Sequence, residues 1–147
     1  MCLEAIKDLF LYLPQSKANP DDAVIRTKLF IACYSSLFPF LYVGGVGLSH
    51  SIGHAVGATY SIPHGITSCL SLAPTVHIKA SNPEEAKQIA RILPYIGKQS
   101  TGSDERDAHI VADAISDLVE QLGHKTTLAA VGYMAIVINS LLTILAV

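Results

Sequence analysis

Three of the six histidines of this chain lie close together in the sequence, at His50, His54 and His64. His50 and His54 are four positions apart, so a helix would place both imidazoles on one face, about 6 Å apart along its axis. The turn that Pro63 forces can return His64 towards that face. Neutral imidazoles are ligands for zinc and ferrous iron. The pattern therefore predicts a metal site, with separate hydrogen bonding of each imidazole in an apolar core as the alternative.

Two better-known motifs are excluded by single residues near these histidines. A zinc-protease helix needs a glutamate directly after its first histidine to act as base, and that position holds Ser51. The glycine-rich run 44–47 is not a dinucleotide-binding fingerprint, because no strand precedes it and His50 occupies the position of the third glycine. We interpret this run, together with Gly53 and Gly57, as sites of close helix packing.

The length and charge of the chain limit its size and its partners. Its 147 residues correspond to about one domain. The formal net charge is -2 and no long basic segment occurs, so nucleic acid is not expected as a partner. Only 15% of the residues are charged and 50% are hydrophobic, which favours a buried or membrane-associated chain over a disordered one.

The cysteines and the N-terminal residues indicate the cellular compartment. Cys2, Cys33 and Cys69 are widely spaced, so they fit neither a disulfide framework nor a metal knuckle, and a reducing compartment is the simpler interpretation. The first fifteen residues include charged side chains within a helical pattern, so they lack the apolar run of a secretory signal. We therefore expect a cytoplasmic protein.

The elements that must position the histidines are predicted to be helices, because no strand-like alternation of comparable length occurs. The clearest helix is the amphipathic segment 107–122, which Gly123 terminates. Asn82 and Pro83 indicate the beginning of a shorter helix that ends near residue 93. Further helices are predicted over 3–14, ending at Pro14, over 21–39, and over 66–80, where Pro74 should kink or stop the helix. The predicted fold is an all-α helical bundle.

Two stretches of twenty residues, 29–48 and 128–147, contain no charged residue. The first contains Pro39 and several glycines, so it is interpreted as a buried pair of core helices. The second predicts a membrane anchor, a buried final helix or a helix that forms a homo-oligomer. We therefore divide the chain into a helical domain over 1–127 and an apolar C-terminal helix over 128–147.

The segment 47–58, Gly-Leu-Ser-His-Ser-Ile-Gly-His-Ala-Val-Gly-Ala, continues into Ile62-Pro63-His64-Gly65. This segment resembles the signature of the iron-containing (group III) alcohol dehydrogenases and the related maleylacetate reductases. The shared features are His-x-x-x-His, a glycine three residues later, and a Pro-His-Gly whose histidine follows the first by fourteen positions. The resemblance implies that the chain corresponds to the C-terminal, all-helical domain of such an enzyme.

The resemblance also implies roles for the three histidines. His50 and His64 match the family histidines that bind the catalytic metal, Fe²⁺ in most members and Zn²⁺ in some. His54 matches the histidine that lines the cleft between nicotinamide and substrate, which implies a catalytic, cofactor-contacting residue and a proton relay. The implied activity is metal-dependent hydride transfer between NAD(P) and an alcohol, an aldehyde or a maleylacetate-like substrate.

Two features of the family are not found in this sequence. Nothing corresponds to the N-terminal nucleotide-binding domain with its glycine-rich phosphate loop. No Asp-x-x-x-His segment occurs that would supply the two further metal ligands implied by the resemblance. The sequence therefore predicts an incomplete dehydrogenase that is inactive by itself. The alternative is a non-catalytic helical protein that attaches to a membrane or a partner through 128–147.

Overall fold

A computed structural model of the protein describes residues 1–39 and 45–131. Every regular element in these ranges is helical, which confirms the predicted all-α class for the described residues. The elements in chain order are α1 (Cys2–Ala18), α2 (Ala23–Ser36), α3 (Leu48–Tyr60), α4 (His64–Ala80), α5 (Pro83–Ala90), a short 3₁₀ helix (Leu93–Ile96) and α6 (Asp104–Gln121).

Side chains that accept backbone hydrogen bonds fix where three of these helices begin. Asp22 caps α2, and Asn82 caps α5 as the sequence predicts, each accepting from two backbone N–H groups of the first turn. Ser103 caps α6 by accepting from the N–H of Arg106. The prediction that this last helix begins at residue 107 is therefore wrong by three positions, because Ser103 and not Asp107 is the capping residue.

Both prolines that were expected to interrupt helices lie inside them. Pro14 does not end α1, which continues to Ala18. The Gln15 side chain donates to the carbonyl of Leu11, 3.0 Å away, and Lys17 Nζ donates to the carbonyl of Gln121 at 2.8 Å. These contacts stabilise the last turn of α1 and so offset part of the cost of a proline inside a helix, which removes a backbone donor and crowds the carbonyl four residues earlier. Pro74 likewise lies within α4 and does not stop it.

Helix α4 occupies the centre of the bundle, with α3, α5 and α6 packed against it, while α1 packs against α2. Small side chains form the core where α4, α5 and α6 meet: Ala80, Ala86 and Ala108 are nearly inaccessible, and Ile89 packs against them. Small residues allow helix axes to approach closely. Consequently α4 is held from three sides, and it carries histidines near both of its ends.

The described part of the uncharged stretch 29–48 does not pack as predicted. Phe30 and Tyr34 on α2 expose 80% and 71% of their surface, so this part of the stretch is not a buried core, and that prediction is wrong for α2. Only Ile25 and Ala32 of that helix are buried, because α2 packs mainly against α1. Residues 40–44 lie outside the described ranges.

The apolar segment 128–147 falls largely outside the described residues, which end at residue 131. Its predicted role as an anchor, a final core helix or an oligomer contact therefore stays a prediction, as does the boundary at residue 127. A bilayer-crossing helix would have to be longer and more apolar than any helix within 1–39 and 45–131.

Candidate metal centre

The three clustered histidines lie on two consecutive helices. His50 lies in the first turn of α3, His54 lies one turn further on, and His64 is the first residue of α4. Between the helices, Ser61 adopts a left-handed conformation with φ of 54°, and the N–H of Ile62 donates to the carbonyl of Gly57 at 3.2 Å. This tight turn reverses the chain and brings His64 back to the face of α3.

Two glycines allow α3 and α4 to approach each other behind the histidines. A Cβ atom at Gly53 would lie 2.9 Å from Oγ1 of Thr67, and one at Gly57 would lie 3.1 Å from the carbonyl oxygen of Ile62. The predicted close packing is confirmed for these two positions. It is wrong for Gly47, where a Cβ atom would have no described neighbour within 4 Å and the residue instead caps α3.

A pair of serine hydroxyls joins α3 to α4, and further hydroxyls of α4 bond within that helix. Ser71 Oγ donates to the carbonyl of Thr67 at 2.8 Å and accepts from Ser49 Oγ, 2.9 Å away. The hydroxyls of Thr67 and Ser68 donate to the carbonyl of His64 at 2.8 Å and 3.1 Å. Thr67 and Ser71 are four positions apart in the sequence, and this spacing of hydroxyl residues could have indicated the contact.

These contacts bring the three imidazoles into one cluster. The ring centres of His50 and His64 are 4.7 Å apart. The ring centre of His54 lies 4.5 Å from that of His50 and 5.4 Å from that of His64. One nitrogen of each ring can be chosen so that all three lie within 4.8 Å of one another. Imidazoles that share one ion place their ring centres about 4.5 to 5.2 Å apart for bond angles between a right angle and a tetrahedral angle. The two separations from His50 fall in this range, and that between His54 and His64 lies just above it. The chain therefore gathers a donor set that suits a borderline divalent metal.

The surroundings of His50 favour the form of imidazole that binds a metal. Partial burial of its ring, and then the neighbouring rings of His54 and His64, lower the pKa of His50 below its ordinary value. Burial and nearby positive charge both disfavour the protonated ring. At neutral pH His50 is accordingly neutral and has a free nitrogen lone pair.

A surface hollow of about 300 Å³ opens beside the cluster. His54 and His64 are exposed and line it, while His50 is half-buried behind them. The remaining lining residues are small or apolar: Gly53, Gly57, Ala58 and Ile62. A hollow of this kind admits a small molecule to the imidazoles. Among the described residues, the ligating group here consists of three histidines and contains no carboxylate.

Comparison with known proteins gives a consistent result over nearly the whole chain. Residues 1–141 match the family model of the Fe-containing alcohol dehydrogenase family, C-terminal part. No solved structure gives a significant match.

Three curated relatives illustrate the similarity. A 1-propanol dehydrogenase of Salmonella typhimurium is 30% identical over 81% of this chain. An NAD-dependent methanol dehydrogenase of Bacillus methanolicus is 33% identical over 68%, and maleylacetate reductase 1 of Cupriavidus pinatubonensis is 30% identical over 90%. The chain spans only 30%, 26% and 34% of the lengths of these three proteins, respectively.

Proposed function

Because the chain belongs to the Fe-containing alcohol dehydrogenase family, we propose that it supplies the metal-binding helical part of an NAD(P)-linked oxidoreductase. The observation that carries this proposal is the clustering of His50, His54 and His64, with His54 and His64 lining an accessible hollow. The substrate class is a small alcohol or its aldehyde, or a maleylacetate-like acid, since the relatives are named for 1-propanol, methanol and maleylacetate.

His50 and His64 are the residues that would hold the metal. Their ring centres are 4.7 Å apart, within the range for two imidazoles on one ion, and the lowered pKa of His50 favours the neutral form that binds a metal. We propose Fe²⁺ as the ion, since the family is named for iron and none of the comparisons favours Zn²⁺. A bound divalent ion would act as a Lewis acid that polarises the substrate oxygen.

His54 has a different role in this proposal. Its ring is exposed, lines the hollow and lies 4.5 Å from the ring of His50, measured between centres. From this position one of its nitrogens can accept a proton from an alcohol in the hollow or return it to a carbonyl. We therefore propose His54 as the proton relay, while its contact with the nicotinamide is what the resemblance to the family implies.

Complete activity requires more than the described helices. Hydride transfer needs a nucleotide-binding part, and an ion needs ligands beyond two imidazoles to be bound tightly. In this proposal an aspartate and a further histidine from another part of the enzyme complete the metal shell. We expect the 147 residues, tested without such a part, to bind the metal weakly and to transfer no hydride.

Anaerobic titration of the full chain with Fe²⁺ tests the metal site. His64→Ala should weaken or abolish binding at this site, because it removes one of the two proposed ligands. His124→Gln is the matched control, since His124 is exposed and lies outside the cluster. Fe²⁺ binding that is the same in His64→Ala, His50→Ala and the unchanged chain would overturn the proposal.

A further inference from the structure

A second group of ligating side chains lies between α4 and α6, away from the first cluster. His77 near the end of α4 faces His109 on α6, and their Nδ1 atoms are 2.8 Å apart. Asp113 follows His109 by four positions, so both lie on one face of α6. Its Oδ1 atom lies 3.2 Å from Nε2 of His77. Three groups from two helices thus meet at one point of the surface.

We propose that His77 and His109 form a separate binding site for a divalent transition-metal ion of the zinc type. Asp113 is the residue that orients His77 for this ion. Nitrogen ligands of this kind suit zinc, copper, nickel and iron alike, so the site is defined by its chemistry and not by one element.

The carboxylate of Asp113 fixes which nitrogen of His77 is free. Because a carboxylate only accepts hydrogen bonds, its contact with Nε2 requires the proton of a neutral His77 to be on that atom. The lone pair of Nδ1 then points towards His109. Metal-binding histidines commonly hydrogen-bond a carboxylate through their other nitrogen in this way, which sets both tautomer and ring orientation.

The spacing of the two rings matches that of imidazoles sharing an ion. Their centres are 5.1 Å apart and their planes are inclined by 31°. Two imidazoles bound to one zinc at a tetrahedral angle would have their centres about 5.2 Å apart. Without an ion, His109 donates its Nδ1 proton to His77. To bind the ion, His109 needs only to carry that proton on Nε2 instead, with a small rotation of the rings.

An ion can reach this site from solvent. The side chains of His77 and Asp113 are 41% and 68% exposed, so water can complete the coordination shell. The site is also remote from the first cluster along α4. His64 is the first residue of that helix and His77 lies in its last turn, about 20 Å away at 1.5 Å per residue. One ion cannot therefore serve both groups.

A full-length variant that carries both His50→Ala and His64→Ala isolates the second site, and it is titrated with Zn²⁺. With Zn²⁺ in excess, this variant should bind one Zn²⁺ per chain with the modest affinity that two imidazoles and water give, and adding His77→Ala or His109→Gln should abolish that binding. Adding His124→Gln should leave it unchanged. Circular dichroism and thermal unfolding of each variant establish that it folds. With Cu²⁺ as probe, the electron paramagnetic resonance spectrum should show coupling to two nitrogens.

Asp113→Ala separates an orienting role from ligation. The variant keeps both histidines and should bind Zn²⁺ about tenfold or more weakly, as expected when the hydrogen-bond partner of a ligating histidine is removed. The proposal is wrong if the isolating variant binds no Zn²⁺. It is equally wrong if Zn²⁺ remains bound after both His77 and His109 are replaced. A failure of the isolating variant to bind Zn²⁺ concerns only this site and does not test the function proposed for His50, His54 and His64.

Discussion

At the scale of single residues, sequence spacing predicted one part of the candidate site, and tertiary contacts determine the rest. The spacing of His50 and His54 sufficed to predict a shared helix face. The return of His64 depends on the left-handed Ser61 and on contacts of Thr67, which no local pattern specifies. His77 and His109 are 32 positions apart, so their pairing could not be predicted without knowing how α4 packs on α6.

Asp107 shows how one buried carboxylate contributes to stability. It is only 2% exposed, and it accepts hydrogen bonds from Ser100 and from both the N–H and the hydroxyl of Thr101. These bonds, led by that from Ser100, hold the pKa of Asp107 below its ordinary value of 3.8. The charged form is thus favoured in the folded state, and the loop before α6 is tied to the helix.

Replacing this residue should change how stability depends on pH. A folded-state pKa below the unfolded value gives stabilisation that is complete above the unfolded pKa and is lost as pH falls through the folded value. We expect Asp107→Asn to lower Tm at pH 7 and to reduce the loss of stability between about pH 5 and pH 2. Thermal unfolding across this pH range measures both effects.

The exposed Asp21 provides the control for that experiment. Asp21→Asn should leave the pH profile of Tm close to that of the unchanged chain. An Asp107→Asn profile parallel to that of the unchanged chain throughout would show that the hydrogen-bonded carboxylate does not contribute as described.

At the scale of elements, the contact between α3 and α4 sets the geometry of the site. Gly53→Ala should destabilise the fold, because the new methyl group would meet Thr67 Oγ1, which already donates to the carbonyl of His64. Overpacking of this kind costs about 1 to 3 kcal/mol, against a gain in helix propensity of up to about 1 kcal/mol. Denaturant unfolding measures the net loss, and Fe²⁺ affinity should fall with it.

Two further variants make this prediction specific. Gly65→Ala is the matched control in α4, since no atom of residues 1–39 or 45–131 lies within 4 Å of the added Cβ, and it should not destabilise the chain. Combining Gly53→Ala with Thr67→Ala should recover part of the lost stability by making room for the methyl group. Equal stability of Gly53→Ala and Gly65→Ala would contradict the proposed close approach.

Helix existence was more predictable than helix ends or helix burial. Asn82 and Pro83 specify a local cap, so the beginning of α5 could be predicted. Pro14 was misleading because hydrogen bonds of Gln15 and Lys17 stabilise the turn that follows it. Pro74 does not stop α4, and the kink expected there stays a prediction. The exposure of Phe30 was not predictable, because an uncharged stretch does not show which other elements cover it.

At the scale of the whole molecule, the chain carries the helices with the proposed metal ligands but spans only 30% of the length of its 1-propanol dehydrogenase relative. We expect that mixing the chain with the separately expressed nucleotide-binding part of that enzyme, with Fe²⁺ and NADH, gives reduction of propanal. His64→Ala should abolish the activity, while His124→Gln should retain it. Activity that is unaffected by His64→Ala would contradict the assigned role of this residue.

The central claim is that His50 and His64 hold one ion between them, with His54 beside it. Crystals of the full chain grown anaerobically with Fe²⁺, measured at the iron absorption edge, test this claim most directly. The account predicts an anomalous difference peak between the rings of His50 and His64, which is missing from crystals of His64→Ala. Ordered rings of His50 and His64 with no peak between them, in crystals that contain iron elsewhere, would contradict it.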